Sequence, residues 1–186
     1  KIISSIKKKY NIKYIHSTKR LGVHNALLLT LKKSRGEFIF FIDSGNKFNY
    51  QEFWKLYKYR KKYEIVSGFR VNRKDQFYRI LLTYFFNVFL KIVTISKFKD
   101  MDSGFKIFNK KAVKKAISLR KYNSHLYMSE ICLKIIYMGY KFKEIEINYF
   151  QRSSKSRATS FAIIPIMIFS FLTNFVKLKK QLNKIK

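Results

Sequence analysis

Cysteine, histidine, acidic side chains and long apolar runs are all scarce in this chain of 186 residues. Cys132 is the only cysteine, so no disulfide forms within the chain, as is typical of proteins in a reducing compartment. The three histidines are scattered without the spacing of metal ligands, which argues against a histidine-based metal site. No stretch reaches the roughly 18–20 uninterrupted apolar residues of a membrane-spanning helix. These absences exclude a disulfide-stapled scaffold.

Positive charge, by contrast, is abundant. Lys and Arg number 41 against 10 Asp and Glu, giving a formal net charge of +31. Such a surface attracts polyanions, namely nucleic acid, anionic lipid headgroups or phosphorylated substrates. A Lys-rich coding bias explains the same excess without any function, so the charge alone selects no partner. Hydrophobic residues at 47% are enough to fill a core, which argues against disorder.

Segments typical of strands and helices alternate along the chain. The apolar run 37–42 is typical of a strand buried on both faces of a parallel sheet. Further strands are predicted at 12–15, 64–67 and 145–149, and helices at 24–34, 51–61, 112–117 and 126–138. This alternation predicts an α/β fold with a mostly parallel sheet flanked by helices.

Two segments, 80–95 and 161–176, are apolar on nearly all sides and are flanked by basic residues. They are short for spanning a bilayer but suited to lying in its interface. Burial in the core, or contact with a partner subunit, gives the same pattern. We expect one domain over residues 1–160, followed by a C-terminal amphipathic, interfacial helix with a basic tail over residues 161–186.

The few acidic residues occur at informative positions. Asp43 directly follows the strand at 37–42, at the sheet edge where ligands bind in open α/β folds, and its carboxylate suits Mg²⁺ or Mn²⁺. Asp100 and Asp102 would share one face of an extended segment. Glu130 lies inside an apolar helix, where a carboxylate needs a partner or a task. Turn, loop and cap roles are the ordinary alternatives for these acids.

Three arginines, Arg70, Arg73 and Arg79, follow the strand at 64–67. Arg is the minority base in this chain, and its guanidinium binds phosphate in a fixed fork geometry. The cluster therefore predicts a phosphate site, with a solvated basic turn as the alternative.

Eight motifs in order resemble those of family-2 glycosyltransferases, which have the GT-A fold. They are RLGVHNAL, SRG, EFIFFIDSGNKF, VSGFRVNRKD with Arg79, KDMDSGFKIF, MSE, MGYKFKEIEI and RSSKSR. The similarity extends over nearly the whole chain from about residue 12. It is greatest to the branch that includes dolichol- and polyprenyl-phosphate sugar transferases.

The resemblance implies roles for particular residues. Asp43 matches the first Asp of the Asp-x-Asp motif that meets the metal and the donor diphosphate. Asp100, with Asp102 beside it, matches an acid before a Gly-Phe-Lys element, and Glu130 matches a helix acid near the acceptor that serves some members as base. Asp100, Asp102 and Glu130 are therefore the expected catalytic residues. Phosphate- or donor-binding roles are implied for Arg70, Arg73, Arg79, Lys47, Arg152 and Ser156.

The chain departs from the family pattern in three places. Gly45 replaces the second Asp of Asp-x-Asp, so a Mg²⁺ or Mn²⁺ cofactor requires Asp100 or Asp102 to share the role, or Lys47 to offset phosphate charge. The loop at Arg152 is one residue short and carries Ser154 where Gly is usual. The first strand of the fold is missing, so we expect an N-terminally incomplete chain.

The function implied by the resemblance is transfer of a sugar from a nucleotide-sugar donor to a membrane-associated acceptor, either a polyprenyl phosphate or a glycan. We expect a peripheral protein at the cytoplasmic face of the cell membrane, drawn to anionic lipid and not to nucleic acid. One alternative is an inactive, truncated relative. The other is a basic protein that binds membrane or nucleic acid without catalysis, which leaves the placement of the acids unexplained.

Overall fold

The computed structural model describes residues 6, 9–10, 12–19, 21–43, 45, 47–73, 75–119, 127–150 and 164–185, without the side chains of 164–168 and 170. Two compact units are distinguished, Lys1–Ser34 and Arg35–Lys186. The first contains helix α1 (Gly22–Lys33), which confirms the helix predicted at 24–34. The strand predicted at 12–15 is wrong: residues 12–17 have no regular structure. Ile12 and Tyr14 are exposed there and pack into no described sheet, so nothing stabilises a strand.

The second unit is built on a four-stranded sheet of order β1-β3-β2-β4. The strands are β1 (Phe38–Ile42), β2 (Ile65–Val71), β3 (Phe105–Asn109) and β4 (Phe142–Asn148). The prediction of a mostly parallel sheet is wrong in its pairing, because β3 lies between β1 and β2 and runs antiparallel to both. β2 and β4 form the one parallel pair in the described sheet. β1 lies at an edge of that sheet and has one buried residue, Ile39, so it is not buried on both faces.

Helices flank the sheet at the predicted positions. A 3-10 turn (Tyr50–Glu52) continues into α2 (Phe53–Tyr57), where the helix at 51–61 is expected. The others are α3 (Phe77–Val93), α4 (Lys110–Ser118), α5 (Tyr127–Tyr137) and α6 (Ile164–Leu182). The boundary predicted at residue 160 lies outside the described residues. No helix in the described ranges is both long and apolar enough to cross a membrane.

The hydrophobic core occupies both faces of the sheet. On one face, Leu56 of α2 packs into a buried cluster with Val66, Phe105, Ile107 and Ile147. Side chains alternate along a strand, so Lys106 and Phe108 of β3 point to the opposite face. On that side α4 contacts β3 and α5, and α5 is buried at every residue from 128 to 137. A helix buried all round is mostly apolar, and the two charged residues of α5, Glu130 and Lys134, are buried as a pair.

α3 and α6 pack against each other through aromatic rings and leave apolar residues facing outward. Phe89 lies between Phe171 and Phe175, with ring centroids 5.2 and 4.9 Å away. The exposed apolar side chains of the pair are Phe77, Leu81, Tyr84, Phe85 and Ile92 on α3, and Phe169, Leu172 and Val176 on α6. The inner faces of these helices are thus core, while their outer faces are uncovered in the described structure.

Candidate active site

The strand arrangement brings four chain segments to one edge of the sheet, the edge formed by the carboxyl ends of β1, β2 and β4. β1, β2 and β4 run in the same direction and end at this edge, while the antiparallel β3 begins there. Asp43 follows β1, Arg70 is the penultimate residue of β2, and Tyr149 follows β4. The loop before β3, residues 99–104 and here called the acid loop, carries Asp100 and Asp102. The predicted acids and arginine therefore meet because β3 is reversed.

Asp43 is held directly against the acid loop. Its backbone N–H donates to the Gly104 carbonyl oxygen at 2.9 Å. A Cβ added to Gly104 would lie 2.1 Å from Asp43 Oδ2 and 2.3 Å from its Cγ. Gly104 is thus required for space, because any side chain there would displace the Asp43 carboxylate.

Arg70 and Asp100 form a buried, bidentate ion pair. Arg70 Nε donates to Asp100 Oδ2 at 2.6 Å and Nη2 donates to Oδ1 at 2.7 Å, with the Arg70 backbone N–H adding a 3.3 Å contact to Oδ2. Burial opposes ionisation of Asp100, but the hydrogen bonds and charge of Arg70 outweigh it and lower the pKa of Asp100. Both Asp100 oxygens are therefore committed to orienting Arg70 and are poorly available to a metal.

Two further side chains fix the acid loop from outside. The Glu144 carboxylate of β4 accepts hydrogen bonds from the backbone N–H groups of Lys99 (2.7 Å) and Asp100 (2.8 Å). Asn87 Oδ1 of α3 accepts one from Met101 N–H at 3.0 Å. The loop is thus tied to a strand and a helix, which gives the preorganisation that a charged site needs.

Asp102 and Asp43 are the carboxylates of this edge that remain accessible. Both are solvent-exposed, yet enough protein surrounds them that desolvation raises the pKa of each. The charge of Asp43 adds to the raised pKa of Asp102, so the two carboxylates interact electrostatically. Tyr127, at the start of α5, borders them: desolvation, then the charges of Asp102 and Asp43, raise its pKa to about 12.

Lys106, in β3, is completely buried near these acids. Its Nζ donates to Ser67 Oγ at 2.8 Å and to the Ser103 carbonyl at 2.7 Å, which ties the acid loop to β2. Burial lowers the pKa of Lys106, partly offset by nearby carboxylates including Asp100 and Asp102. In turn its charge acts to lower the pKa of Asp43, Asp100 and Asp102. A buried ammonium of this kind favours ionised acids at the edge.

Two further cationic side chains, Lys47 and Arg73, lie near this edge. Lys47 lies along Gly45, where an added Cβ would meet its Cε at 3.2 Å, and its charge acts to lower the pKa of Asp43. Arg73 forms an ion pair with Asp75, with Nη2 to Oδ2 at 2.8 Å. The absence of the second Asp of the Asp-x-Asp motif is thus accompanied by a lysine stem lying against the vacated position.

Glu130 lies elsewhere and has a different environment. It is fully buried within α5, and its Oε1 accepts a 2.7 Å hydrogen bond from Lys134 Nζ, one helical turn away and also fully buried. Lys134 Nζ also donates to the Leu119 carbonyl at 3.2 Å. This burial and pairing disfavour the predicted role of Glu130 as a base, because a general base must reach its substrate proton.

The family model for glycosyl transferase family 2 matches residues 1–117 of the chain. The chain belongs to glycosyl transferase family 2. The mixed α/β fold with an open sheet flanked by helices fits a GT-A-like architecture, as expected from the sequence. Enzymes of this family take a nucleotide-sugar as donor. No curated protein matches the chain in sequence.

Most residues predicted for this family-2 glycosyltransferase site converge at one edge, though their roles stay predictions. Asp43, Asp100, Asp102 and Arg70 do so, with Lys47 and Arg73 beside them. Arg79 lies in the first turn of α3, whereas Arg152 and Ser156 lie outside the described residues.

Sequence reasoning missed two residues of this site, Lys106 and Tyr149. One more lysine in a Lys-rich chain carries no signal, although its place in the Gly-Phe-Lys element was a clue. Tyr149 appeared only as an alternating strand residue. Tertiary packing alone distinguishes these two from the many similar side chains of the sequence.

A divalent cation at this edge would need oxygen ligands from the same side chains. Within the described residues, no group of three or more His, Cys, Asp or Glu side chains is arranged to hold a metal ion. Mg²⁺ often takes only one or two protein carboxylates, with substrate phosphates and water completing its six positions. Asp43 and Asp102, which are exposed and interact electrostatically, fit that requirement as a pair.

Proposed function

We propose that this glycosyltransferase transfers a sugar from a nucleotide-sugar donor to a polyprenyl phosphate at a membrane surface. The observation that carries this proposal is the convergence of Asp43, Asp102 and Arg70 at one sheet edge. Such an edge offers carboxylates for a cation and a fixed guanidinium for phosphate in one place. Family membership supports the donor class, and the site and surface support the acceptor.

At the donor end, the chain's own cations would stabilise the leaving group. As the bond between the anomeric carbon and the diphosphate oxygen breaks, negative charge grows on the nucleoside diphosphate. Arg70, held rigidly by Asp100, and the neighbouring Lys47 and Arg73 are the cations near that position. Asp43 and Asp102 are the residues that would hold Mg²⁺ or Mn²⁺. When bound, such an ion supplies Lewis-acid stabilisation of the same charge.

At the acceptor end, the state of Glu130 favours a phosphate. A sugar hydroxyl needs a general base to take its proton, whereas a lipid phosphate oxygen is already ionised and attacks without one. Glu130, the base expected from the family resemblance, is fully buried and paired with Lys134. An acceptor that needs no base suits such a site, so we propose polyprenyl phosphate rather than a glycan.

The outer faces of α3 and α6 support the membrane location. Their exposed side chains include Tyr84 and Phe85, 62% and 59% exposed. Exposed lysines Lys91, Lys177 and Lys180 lie on the same two helices. Aromatic and aliphatic residues beside basic ones suit the interface of an anionic bilayer, where each basic residue contributes about 1 kcal/mol. We propose peripheral binding at the cytoplasmic face of the cell membrane.

A transfer assay tests the activity. The purified protein is incubated with vesicles containing a polyprenyl phosphate, Mg²⁺ or Mn²⁺, and radiolabelled UDP- or GDP-hexoses. The proposal predicts label in the organic phase with at least one donor, and none from vesicles that lack the lipid phosphate. Transfer to a soluble glycan but not to lipid would refute the acceptor. Absence of any transfer with every donor would favour an inactive relative.

A vesicle sedimentation assay tests the membrane surface. Phosphatidylcholine vesicles with and without phosphatidylglycerol are incubated with the wild type and with a Tyr84→Ser/Phe85→Ser variant. The matched control is Trp54→Ser, because Trp54 is equally exposed (65%) but lies on α2. We expect anionic vesicles to bind the wild type and the control, and the double variant to bind several-fold more weakly. Equal binding by all three would exclude the α3–α6 surface.

A further inference from the structure

Three cationic groups surround the ring of Tyr149. The Arg70 and Arg73 guanidinium carbons lie 5.4 and 5.7 Å from the ring centroid, and Lys47 Nζ lies 5.9 Å from it. These side chains come from different segments, the loop after β1, the end of β2 and the turn that follows β2. One aromatic ring is therefore the common neighbour of three of the cations that the sequence predicts for phosphate binding.

The ring is itself well fixed. Tyr149 is only 5% exposed, its ring packs on Phe48 with centroids 5.4 Å apart, and the two residues form an isolated β-bridge. The bridge joins the chain after Asp43 to the end of β4. A rigid aromatic face with a negative quadrupole attracts cations without neutralising them, so they keep their charge for a further ligand.

The two arginines are also oriented by carboxylates that leave part of each guanidinium open. Asp100 takes Nε and Nη2 of Arg70, and Asp75 takes Nε and Nη2 of Arg73. In neither arginine does Nη1 donate any of the hydrogen bonds shown within the described residues. A guanidinium that is hydrogen-bonded to a carboxylate through one of its edges points the N–H donors of its other edge in a fixed direction.

We propose that Tyr149 is a positioning residue that assembles Lys47, Arg70 and Arg73 into one anion-binding cluster for a diphosphate. The three cations are attracted to the ring face, and their like charges favour an anionic ligand that bridges them. The assignment of the ligand as the donor's diphosphate rests on the proposed function. The assembly of the cluster by the ring does not.

The competing explanation is that Tyr149 merely fills the core. Phe40 packs against the same buried cluster through the rings of Phe53 and Phe105, and among the described contacts neither Tyr149 nor any of these three cations lies at its ring. Phe40→Leu therefore creates a packing defect in that cluster without removing the cation contacts or the Phe48–Tyr149 contact. Tyr149→Phe keeps the aromatic face and loses only the hydroxyl.

Inorganic pyrophosphate is the probe, because it carries the diphosphate without assuming a nucleotide base. Its affinity is measured by isothermal titration calorimetry at two salt concentrations for the wild type, Tyr149→Leu, Tyr149→Phe and Phe40→Leu. We expect roughly tenfold weaker binding for Tyr149→Leu, with a smaller salt dependence, and at most about a twofold change for the other two variants. Melting temperatures are recorded in parallel.

The outcomes separate this inference from the proposed function. Equal losses in Tyr149→Leu and Phe40→Leu would overturn the positioning role, as would a tenfold loss in Tyr149→Phe or no loss in Tyr149→Leu. A wild type that does not bind pyrophosphate would also overturn it. Pyrophosphate binding with the expected variant pattern, but without sugar transfer in the lipid assay, would uphold the cluster and remove the proposed function.

Discussion

Replacing Asp100 with Asn should destabilise the protein strongly, because it leaves the Arg70 guanidinium buried without its countercharge. The side chains of Arg70 and Asp100 are only 12% and 4% exposed, and two hydrogen bonds of 2.6 and 2.7 Å join them. Removing one partner of such a pair costs about 3–5 kcal/mol. Because Arg70 keeps some solvent contact, we expect the lower end of that range, which lowers the Tm by roughly 6–12 °C in a chain of this size.

Thermal and urea unfolding followed by far-UV circular dichroism provides the measurement. Arg70→Met is expected to cost a similar amount, whereas Arg70→Met/Asp100→Leu is expected to be less destabilised than the sum of the single variants. The control is Glu37→Gln, which replaces an exposed carboxylate directly before β1. Its free energy of unfolding should stay within about 0.5 kcal/mol of the wild-type value.

The pH dependence has a definite sign. The pKa of Asp100 is lowered in the folded protein, so the pair contributes stability above the unfolded pKa of about 3.9 and loses it as pH falls through the lower folded value. The difference between the wild type and Asp100→Asn should therefore be full at pH 7 and shrink in acid below about pH 4. A difference in unfolding free energy under 1 kcal/mol at pH 7, or one that is independent of pH, would refute the buried ion pair of Arg70 and Asp100.

Three other substitutions probe the surroundings of the site. Gly104→Ala should displace the Asp43 carboxylate and weaken pyrophosphate or nucleotide binding with little change in Tm; unchanged binding by calorimetry would contradict the 2.1 Å approach. Lys106→Met should move the pH dependence of that binding upward, because a charge that lowers the pKa of Asp43 is lost; a profile that does not move would count against this. Glu130→Gln should lower the Tm by leaving Lys134 buried without its countercharge. Loss of sugar transfer at an unchanged Tm would instead identify Glu130 as the base.

Local patterns in the sequence predicted elements better than their pairing. Helical periodicity located α1, α4 and α5, and Asn109 caps α4 by accepting hydrogen bonds from Lys111 and Ala112 N–H. β3 was not predicted as a strand because Lys106 interrupts its apolar pattern. Only the tertiary fold provides the Ser67 and Ser103 oxygens that make burial of this lysine tolerable. Without β3, the sheet could not be predicted as antiparallel at its centre.

Most residues of the candidate site could be predicted from the sequence, but not which of them contact one another. The scarcity of acids drew attention to Asp43, Asp100 and Asp102, which the structure brings together. Nothing local in the sequence distinguishes Asp100, which is paired with Arg70, from Asp102, which is exposed, since they are two residues apart. That difference arises from β2, which supplies the arginine to one acid and not to the other.

The most direct test of whether this sheet edge binds the donor uses charge variants at the two ends of β1. Their affinity for a nucleoside diphosphate is compared with that of the wild type. Asp43 directly follows the strand and Glu37 directly precedes it, so Asp43→Asn and Glu37→Gln make the same chemical change at opposite ends. Calorimetry with UDP and with GDP in Mg²⁺ should show binding of at least one nucleotide, weakened tenfold or more in Asp43→Asn and unchanged in Glu37→Gln. Equal affinity in all three proteins, or a loss confined to Glu37→Gln, would contradict a diphosphate site at this edge.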